Sequence, residues 1–378
     1  MPRPSSAPSI RPRPPGRPGR ARADALGPAA RAAAALVALA LALAGIAPAT
    51  AQRRDGGTPG GCEAIAGDRE RLACLDRASD ASGMPGAQAP AVPDAVTLDS
   101  RDTLRSMPVS LGERWELDAG TKQGRWVLQP YRPVYVLPVH LTDRRNRRPA
   151  ADGIGNSIDS DLEARELESV FQLSLKAKLA ETIGGSNVDL WAAYTQVSHW
   201  QVWTPTLSRP FRETNYEPEL FAIRGMDVAL PLGWRARMLG LGVNHQSNGR
   251  GEPLSRSWNR VIAQVGLERG DWAVLLRPWW RLSEAGGIDD NPGIEDYVGR
   301  AEAIVMRRMG ANLVSVQLRH SLRGGAASRG SVLLDWAVPL SSYLKGHLRV
   351  FSGHGETLID FNHRQTTVGF GISLAEWL

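Results

Sequence analysis

Cysteine is nearly absent from this chain of 378 residues, which has only Cys62 and Cys74. The two stand 12 residues apart in the helix-like stretch CEAIAGDRERLAC, and no further soft ligand lies nearby. That composition argues against a structural metal site. In an oxidising compartment such a pair forms a local disulfide. We therefore predict a Cys62–Cys74 disulfide if the chain is exported.

Long hydrophobic runs are also lacking, since no stretch has 18 consecutive apolar residues. This excludes ordinary transmembrane helices. The apolar run 32–47 follows an arginine-rich region and precedes Ala49-Thr50-Ala51, a small-x-small cleavage site. We interpret residues 1–51 as a signal peptide. An exported chain without transmembrane helices is periplasmic, secreted or an outer-membrane barrel.

Positive charge is in excess only within this predicted signal peptide. Residues 1–51 hold seven arginines and one aspartate, a net charge of +6, and the whole chain also carries +6. The rest of the chain is therefore near neutral. This removes the main argument for a nucleic-acid partner, and we predict none.

Two regions that differ in composition and residue pattern follow the predicted signal peptide. Residues 52–111 are rich in Gly, Ala, Pro and Asp, and we interpret them as a periplasmic N-terminal extension. Residues 112–378 alternate instead, as where Val314, Val316 and Leu318 interleave with Ser315, Gln317 and Arg319. The pattern predicts an all-β fold, a transmembrane antiparallel β-barrel of the outer-membrane type with about ten to fourteen strands. A soluble β-sandwich with the same alternation is the alternative.

Tryptophan is the one abundant aromatic residue, with twelve copies. Many stand near the ends of the predicted strands, among them Trp191, Trp200, Trp203, Trp234, Trp258, Trp279, Trp280 and Trp377. Such positions favour girdles of aromatic side chains at the two membrane interfaces.

Polar side chains on an otherwise apolar strand face point to catalysis. From Leu239 onwards the odd positions share one face, which ends in His245 and Ser247. Asn259 shares the apolar face of the next strand-like run. A serine hydroxyl needs a general base such as histidine to become a nucleophile. Asn259 could orient that histidine if segment 248–258 returns as a hairpin.

The intervening loop NGRGEPLSRSW is rich in oxygen donors, namely Glu252, Ser255 and the backbone carbonyls. Hard oxygen ligands in a flexible loop suit calcium, which could stabilise an oxyanion. The alternative interpretation is a solvated surface loop without a metal.

Several long motifs together resemble the outer-membrane phospholipase A family. The resemblance covers about residues 112–378 in order, and it is carried by FQLSL (171–175), YTQ (194–196), PFRETNYEPELF (210–221), NHQSNGRGEPLSRSWNR (244–260), DDNPGIEDY (289–297) and SGHGETLIDFNHRQTTVGFG (352–371). It implies a twelve-stranded barrel in the outer membrane with its catalytic groups on the outside wall.

The resemblance also implies roles for individual residues. Ser247 matches the nucleophile, His245 the general base and Asn259 the residue that orients it. The calcium ligands would be the Ser255 hydroxyl, the Arg250 carbonyl and, from the second subunit of a calcium-induced homodimer, Ser208. Gln196 matches a polar residue at the dimer interface. Glu252 and Asp290 match acidic positions of a second calcium site.

Three departures from the family pattern stand out. Glu252 occupies a position where aspartate is usual, and Arg209 follows Ser208 where a small residue is typical. The chain ends in Leu378 rather than in an aromatic residue, and the adjacent Trp377 has the opposite parity.

We therefore predict a calcium-dependent phospholipase A that hydrolyses acyl esters of phospholipids and lysophospholipids in the outer membrane. The alternative with the same fold is a non-catalytic porin, whose pore would be lined by inward-facing arginines at Arg260, Arg277, Arg300 and Arg319.

Overall fold

The computed structural model describes residues 110–377, except 153–154, 205, 207–210, 285–288 and 342. The predicted signal peptide, the Cys62–Cys74 disulfide and all but the last two residues of the extension therefore lie outside the described residues, as do Ser208 and Arg209. Across the part of the chain that is described, no helix is long and apolar enough to cross a membrane.

The described chain is built almost entirely of β-strands. The strands are β1 (Gln129–Pro130), β2 (Val134–Thr142), β3 (Leu167–Ala180), β4 (Val188–Trp200), β5 (Phe211–Ala229), β6 (Arg235–Ser247), β7 (Ser257–Arg269), β8 (Trp272–Leu282), β9 (Ala301–Met309), β10 (Asn312–His320), β11 (Gly330–Pro339), β12 (Lys345–His354) and β13 (Arg364–Ala375). One short α-helix, α1 (Leu111–Arg114), precedes them, and single 3₁₀ turns lie at Ala119–Thr121, Ile183–Gly185, Pro231–Gly233, Ile294–Asp296 and Gly325–Ala327.

The sheet closes on itself as a twelve-stranded antiparallel barrel. Each strand from β2 to β13 pairs with its sequence neighbours, and β13 returns to pair with β2. The two-residue strand β1 pairs with the part of β3 that β2 does not cover. It therefore lengthens the wall there but is not a thirteenth strand around the barrel. Closure leaves no free sheet edge. The predicted fold class is confirmed, and the β-sandwich alternative is wrong.

Side chains alternate between the wall's two faces as the sequence predicts. On β6, Leu239 and Leu241 are exposed on the outside, whereas Met238 and Asn244 are buried in the lumen. An apolar exterior around a polar lumen is typical of a membrane barrel. Loops such as 143–166, 248–256 and 283–300 share one end of the barrel, which we call the loop end. The opposite end is the turn end.

The segment before the wall fills the lumen at the turn end. Ser110 caps α1 by accepting a hydrogen bond from the Glu113 amide at 3.1 Å. The following Trp115 packs edge-on against Trp191 with ring centroids 5.7 Å apart. Lys176 Nζ lies 3.9 Å from the centre of the Trp191 ring, so this buried amino group packs against the indole. The lumen is closed here by packed side chains.

Ion pairs fill the middle of the lumen. Glu217 joins Arg132 and Arg260, each with an N–O distance of 2.9 Å, and Glu219 joins Arg132 at 2.9 Å and Arg277 at 2.7 Å. These buried charges are paired from both sides, as burial requires. Beside them remains a polar cavity of about 80 Å³. Arg260 and Arg277 thus point inward as predicted, but their charges are held in ion pairs across the lumen and do not line an open pore.

The two other arginines of the porin alternative are also paired. Arg319 Nε lies 3.2 Å from Glu302 on the neighbouring β9. Arg300 lies just before β9 and reaches Asp296 at 2.6 Å. Neither presents an unpaired charge to an open channel, so the lumen does not have the wall of a porin pore.

The interfacial girdle interpretation is wrong for four of the tryptophans. Trp191, Trp258 and Trp279 are buried in the lumen, two of them with no exposed surface. Trp280, by contrast, lies outside and is 58% exposed. Adjacent residues of a strand point to opposite faces, so proximity to a strand end does not determine the side. Trp377 packs in the lumen, in agreement with its parity.

Candidate active site

The hairpin of β6 and β7 brings the predicted catalytic residues together. His245 lies directly opposite Asn259 in the register, and Ser247 lies opposite Ser257. All of them face outwards at the loop end and are partly exposed. A shift of one residue in the strand register would turn these side chains into the lumen. The buried residues of the same strands fix the register and thereby keep the site on the outside.

One hydrogen bond orients the histidine. His245 Nδ1 lies 2.9 Å from Asn259 Oδ1. An amide oxygen only accepts, so Nδ1 carries the proton and Nε2 is left as the basic nitrogen. Ser247 lies two residues further along the same face, as predicted. The arrangement has the parts of a serine hydrolase: a hydroxyl, a base and a group that orients the base.

A row of outward-facing residues crosses the wall at the height of Ser247. Gln196 on β4 lies opposite Tyr216 on β5, and Tyr216 lies opposite Ser247. The predicted interface residue is therefore two strands from the predicted nucleophile. Tyr216 was missed by sequence reasoning, although it stands inside the matched block PFRETNYEPELF. Its ring lies next to Gly249, where an added Cβ would come within 3.0 Å of it.

Asn248 ties the loop 248–256 into one unit. Its Oδ1 accepts hydrogen bonds from the Arg250 amide at 3.3 Å and the Arg256 amide at 3.0 Å. Its Nδ2 donates to the Leu254 carbonyl at 2.8 Å and to Glu213 Oε1 at 3.3 Å. Glu213 is buried in the barrel wall. A buried, fully engaged amide thus sets the path of the loop that carries the predicted calcium ligands.

Oxygen donors from two loops meet beside the hairpin. Ser255 Oγ donates to Asp290 Oδ2 at 2.5 Å, and Asn156 Nδ2 donates to the Asp290 carbonyl at 3.0 Å. Ser255 still has lone pairs, so it can donate to a carboxylate and also face a cation. Glu252 is exposed in the same loop. This donor set consists of hard oxygens, as calcium requires.

A carboxylate lies behind the asparagine that orients His245. Asn259 Nδ2 donates to Glu284 Oε1 at 3.4 Å. Glu284 is half-buried just after β8. Burial and the nearby Asp289 raise the pKa of Glu284, whereas Arg281 and His245 act in the opposite direction. Sequence reasoning missed this residue because nothing in the spacing connects Glu284 with position 259.

Another group of possible ligands lies inside the lumen. His140, Glu168 and His199 bring ligand atoms within 4.8 Å of one another. Glu168 Oε2, however, accepts from Arg212 Nε at 2.9 Å, and Glu168 Oε1 lies 3.3 Å from Arg145 Nη2. Two guanidinium groups on one carboxylate would repel a cation. The group therefore fits a buried ion network better than a metal centre.

The same network reaches the inward-folded loop 355–363. His140 Nε2 lies 3.1 Å from Glu356 Oε1. Burial by itself would raise the pKa of Glu356, but His140 and His199 together lower the pKa to about 2. The carboxylate thus stays ionised and fastens the loop to the wall.

Comparison with known proteins finds one family. A family model described as Phospholipase A1 matches residues 111–374. Phospholipase A1 of Klebsiella pneumoniae is 38% identical over 249 residues, which cover 66% of this chain and 82% of that protein.

Solved structures give the same result. Outer membrane phospholipase A from Escherichia coli, solved as an active-site mutant with asparagine changed to alanine, has a TM-score of 0.60 and 35% identity. The match covers 68% of this chain and 95% of that one. The outer membrane phospholipase of Salmonella typhi, solved as a dimer with bound calcium, has a TM-score of 0.61 and 35% identity over 68% of this chain and 96% of its own.

Proposed function

This chain belongs to the phospholipase A1 family, and from that premise we propose that it hydrolyses phospholipid acyl esters with Ser247, His245 and Asn259 in the presence of calcium. Phospholipase activity follows from the family. The hydrogen bond between His245 and Asn259, on the outside wall and two residues from Ser247, is the observation that supports the assignment of the catalytic residues.

The proposed chemistry has two halves. Ser247 Oγ attacks the ester carbonyl carbon while His245 Nε2 takes the hydroxyl proton. His245 then returns that proton to the departing alcohol, so the ester bond breaks and an acyl-enzyme remains. A water molecule gives a proton to His245 and attacks the acyl group, which leaves as a fatty acid and restores the Ser247 hydroxyl. Both sn-1 and sn-2 esters, and lysophospholipids, are proposed substrates.

The proposed calcium site uses the Arg250 carbonyl and the Ser255 hydroxyl. Glu252 and Asp290 offer carboxylates to the same site or to a second one. The 2.5 Å contact of Ser255 with Asp290 supports this proposal, since it gathers oxygen donors next to the hairpin. Calcium there would supply positive charge near the oxyanion of the tetrahedral intermediate.

The proposed active form is a homodimer. Ser208 of the partner subunit would complete the calcium site, and Gln196 would lie at the interface. In support, Gln196, Tyr216 and Ser247 share one row of the outside wall. The dimer seam would then also flank the nucleophile and give the acyl chain an apolar cleft.

The proposed location is the outer membrane, with phospholipid esters reaching Ser247 beside the wall. The apolar exterior of the barrel supports this placement. Residues 1–51 would act as the signal peptide and residues 52–111 as a periplasmic extension, ahead of the barrel at 112–378.

Fatty-acid release from phosphatidylethanolamine tests the proposal. The refolded chain should hydrolyse this lipid with calcium and not with chelator, and a sulfonyl fluoride should label Ser247. Ser247→Ala should lower turnover by about 10⁴-fold or more, because the acyl-enzyme cannot form. Ser257→Ala is the matched control on the same face and should stay active. A folded Ser247→Ala variant with more than a trace of activity would exclude this mechanism.

A further inference from the structure

The orienting residue of the proposed triad is neutral, which leaves a question about charge. During acyl transfer His245 becomes an imidazolium, and in most serine hydrolases a carboxylate stabilises that cation. Asn259 can hold the ring through its Oδ1, but it brings no negative charge to the ring. A carboxylate hydrogen-bonded to the other end of the Asn259 amide would supply the missing negative charge.

We propose that Glu284 is a positioning residue that acts on His245 through Asn259, as the fourth member of a Ser247–His245–Asn259–Glu284 chain. This inference rests on the proposed function. Its basis is that the two hydrogen bonds of Asn259 run in one direction: Oδ1 accepts from His245 at 2.9 Å, and Nδ2 donates to Glu284 at 3.4 Å.

The second hydrogen bond also determines which way the amide faces. If the Asn259 amide were turned over, its NH₂ group would meet the protonated Nδ1 of His245, and its oxygen would meet the Glu284 carboxylate. Both contacts would be repulsive. Glu284 therefore selects the orientation in which Asn259 presents an oxygen to the histidine, even though the 3.4 Å contact is long.

Charge reinforces the hydrogen bond. A carboxylate that accepts from Nδ2 polarises the amide and makes Oδ1 a better acceptor from the imidazolium. Its own field acts on the ring as well, because Coulomb energy falls only with the inverse of distance. The other charged groups around Glu284 are Asp289, Asp290 and Arg281. Arg281 pairs with Asp289 at 2.6 Å, so that nearby carboxylate is already balanced.

The test compares Glu284→Gln with two controls at saturating calcium. Glu284→Gln removes the charge and keeps an acceptor oxygen, whereas Glu284→Ala removes both. Asp296→Asn removes a charge from the same loop, but Asp296 pairs with Arg300 and is not one of the charged groups around Glu284. We expect turnover to fall about 10-fold in Glu284→Gln and further in Glu284→Ala. The acidic limb of the pH–rate profile should move to lower pH, since the imidazolium loses a stabilising charge. Asp296→Asn should change neither.

Epistasis identifies the route of the effect. In an Asn259→Ala background Glu284→Gln should cost much less than 10-fold, because the hydrogen-bonded path to His245 is already cut and only the through-space field of Glu284 still reaches the ring. A full 10-fold cost in that background would overturn the proposal. Wild-type turnover in Glu284→Gln would also overturn the proposal. A loss of turnover that extra calcium restores would overturn it as well, because that result would place Glu284 in the calcium site.

The failure of this inference is distinguishable from a failure of the proposed function. If Ser247→Ala is inactive and Glu284→Gln behaves as wild type, only the fourth member is wrong. If a folded Ser247→Ala variant stays active, the triad itself is wrong. Unchanged heat-dependent gel mobility of each variant shows that the barrel has folded, and Glu284→Asp gives a second variant with the charge kept.

Discussion

At the scale of single residues, the proposed catalysis depends on polar groups placed on an apolar wall. His245, Ser247 and Asn259 face outwards, where leaving a polar group without a partner in lipid is costly. The 2.9 Å contact of His245 with Asn259 reduces that cost and also leaves Nε2 free for its proposed role as the base. The same hydrogen bond thus serves both stability and reactivity.

Asn259→Ala tests how much the orienting contact contributes. Turnover should fall by about 10- to 100-fold, because the histidine loses a positioning hydrogen bond but keeps its basic nitrogen. Initial rates of fatty-acid release at saturating calcium measure the effect. A loss as large as that of Ser247→Ala would mean that Asn259 takes a direct part in the chemistry, and no loss would mean that another group holds His245.

At the scale of elements, the loop 248–256 owes its shape to one buried side chain. Asn248 bonds to both ends of the loop and to Glu213 in the wall. Because the loop carries Arg250 and Ser255, the position of the proposed calcium ligands depends on a residue that is not itself a ligand. Supporting residues of this kind commonly change metal affinity when they are replaced.

Asn248→Ala should therefore raise the calcium concentration needed for half-maximal activity, by about 10-fold, while turnover at saturating calcium stays near that of wild type. Gln246→Ala is the matched control. This amide flanks Ser247 on the other side and bonds to Trp258 and Arg260 in the lumen, so its loss should leave the calcium requirement unchanged. Equal calcium curves for the two variants would contradict the assigned role of Asn248.

At the scale of the whole molecule, the lumen is braced from end to end. Aromatic packing around Trp191 closes the turn end, ion pairs around Glu217 fill the middle, and Glu168 with Arg212 crosses the loop end. A rigid wall suits a site that lies on the outside, because the hairpin has a fixed surface behind it. The same packing explains why this barrel is not built as a pore.

Acid should weaken this bracing through Glu356. An ordinary glutamate titrates near 4.5, whereas the pKa of Glu356 is lowered to about 2. A depressed pKa contributes stability that is complete above pH 4.5 and is lost as the pH falls towards 2. Glu356→Gln should lower the free energy of unfolding at pH 7 by about 3 kcal/mol. Denaturant unfolding followed by tryptophan fluorescence should show that difference shrinking between pH 4.5 and 2, and a constant difference would refute the role.

Assembly is the other property of the whole molecule. If the partner subunit's Ser208 completes the calcium site, then calcium, dimer and activity should appear together. Analytical ultracentrifugation in detergent, with calcium and with chelator, measures the association. Full activity from a species that remains monomeric would contradict the dimer while leaving the catalytic residues as proposed.

The strand alternation alone predicted most of the wall and the proposed catalytic residues. A period of two places His245 and Ser247 on one face, and a short return brings Asn259 opposite His245, because both relations are local in the chain. The motifs of residues 112–378 indicated the family in the same way, because each motif is a continuous stretch of sequence. Proximity to a strand end could not assign Trp191 or Trp258 to the lumen, since girdle residues are also found there, whereas the parity that Trp258 shares with the inward-facing Arg260 does assign it.

What only the tertiary structure decided is which distant residues meet. Glu284 reaches Asn259 across 25 residues, Glu213 reaches Asn248 across 35, and Glu356 reaches His140 across 216. These contacts depend on the register of the neighbouring strands and on loops that fold inwards, and neither leaves a period in the sequence. Closure of the barrel matters for the last of them, because only a closed wall brings the last strand and the preceding loop 355–363 beside the first strand, which carries His140.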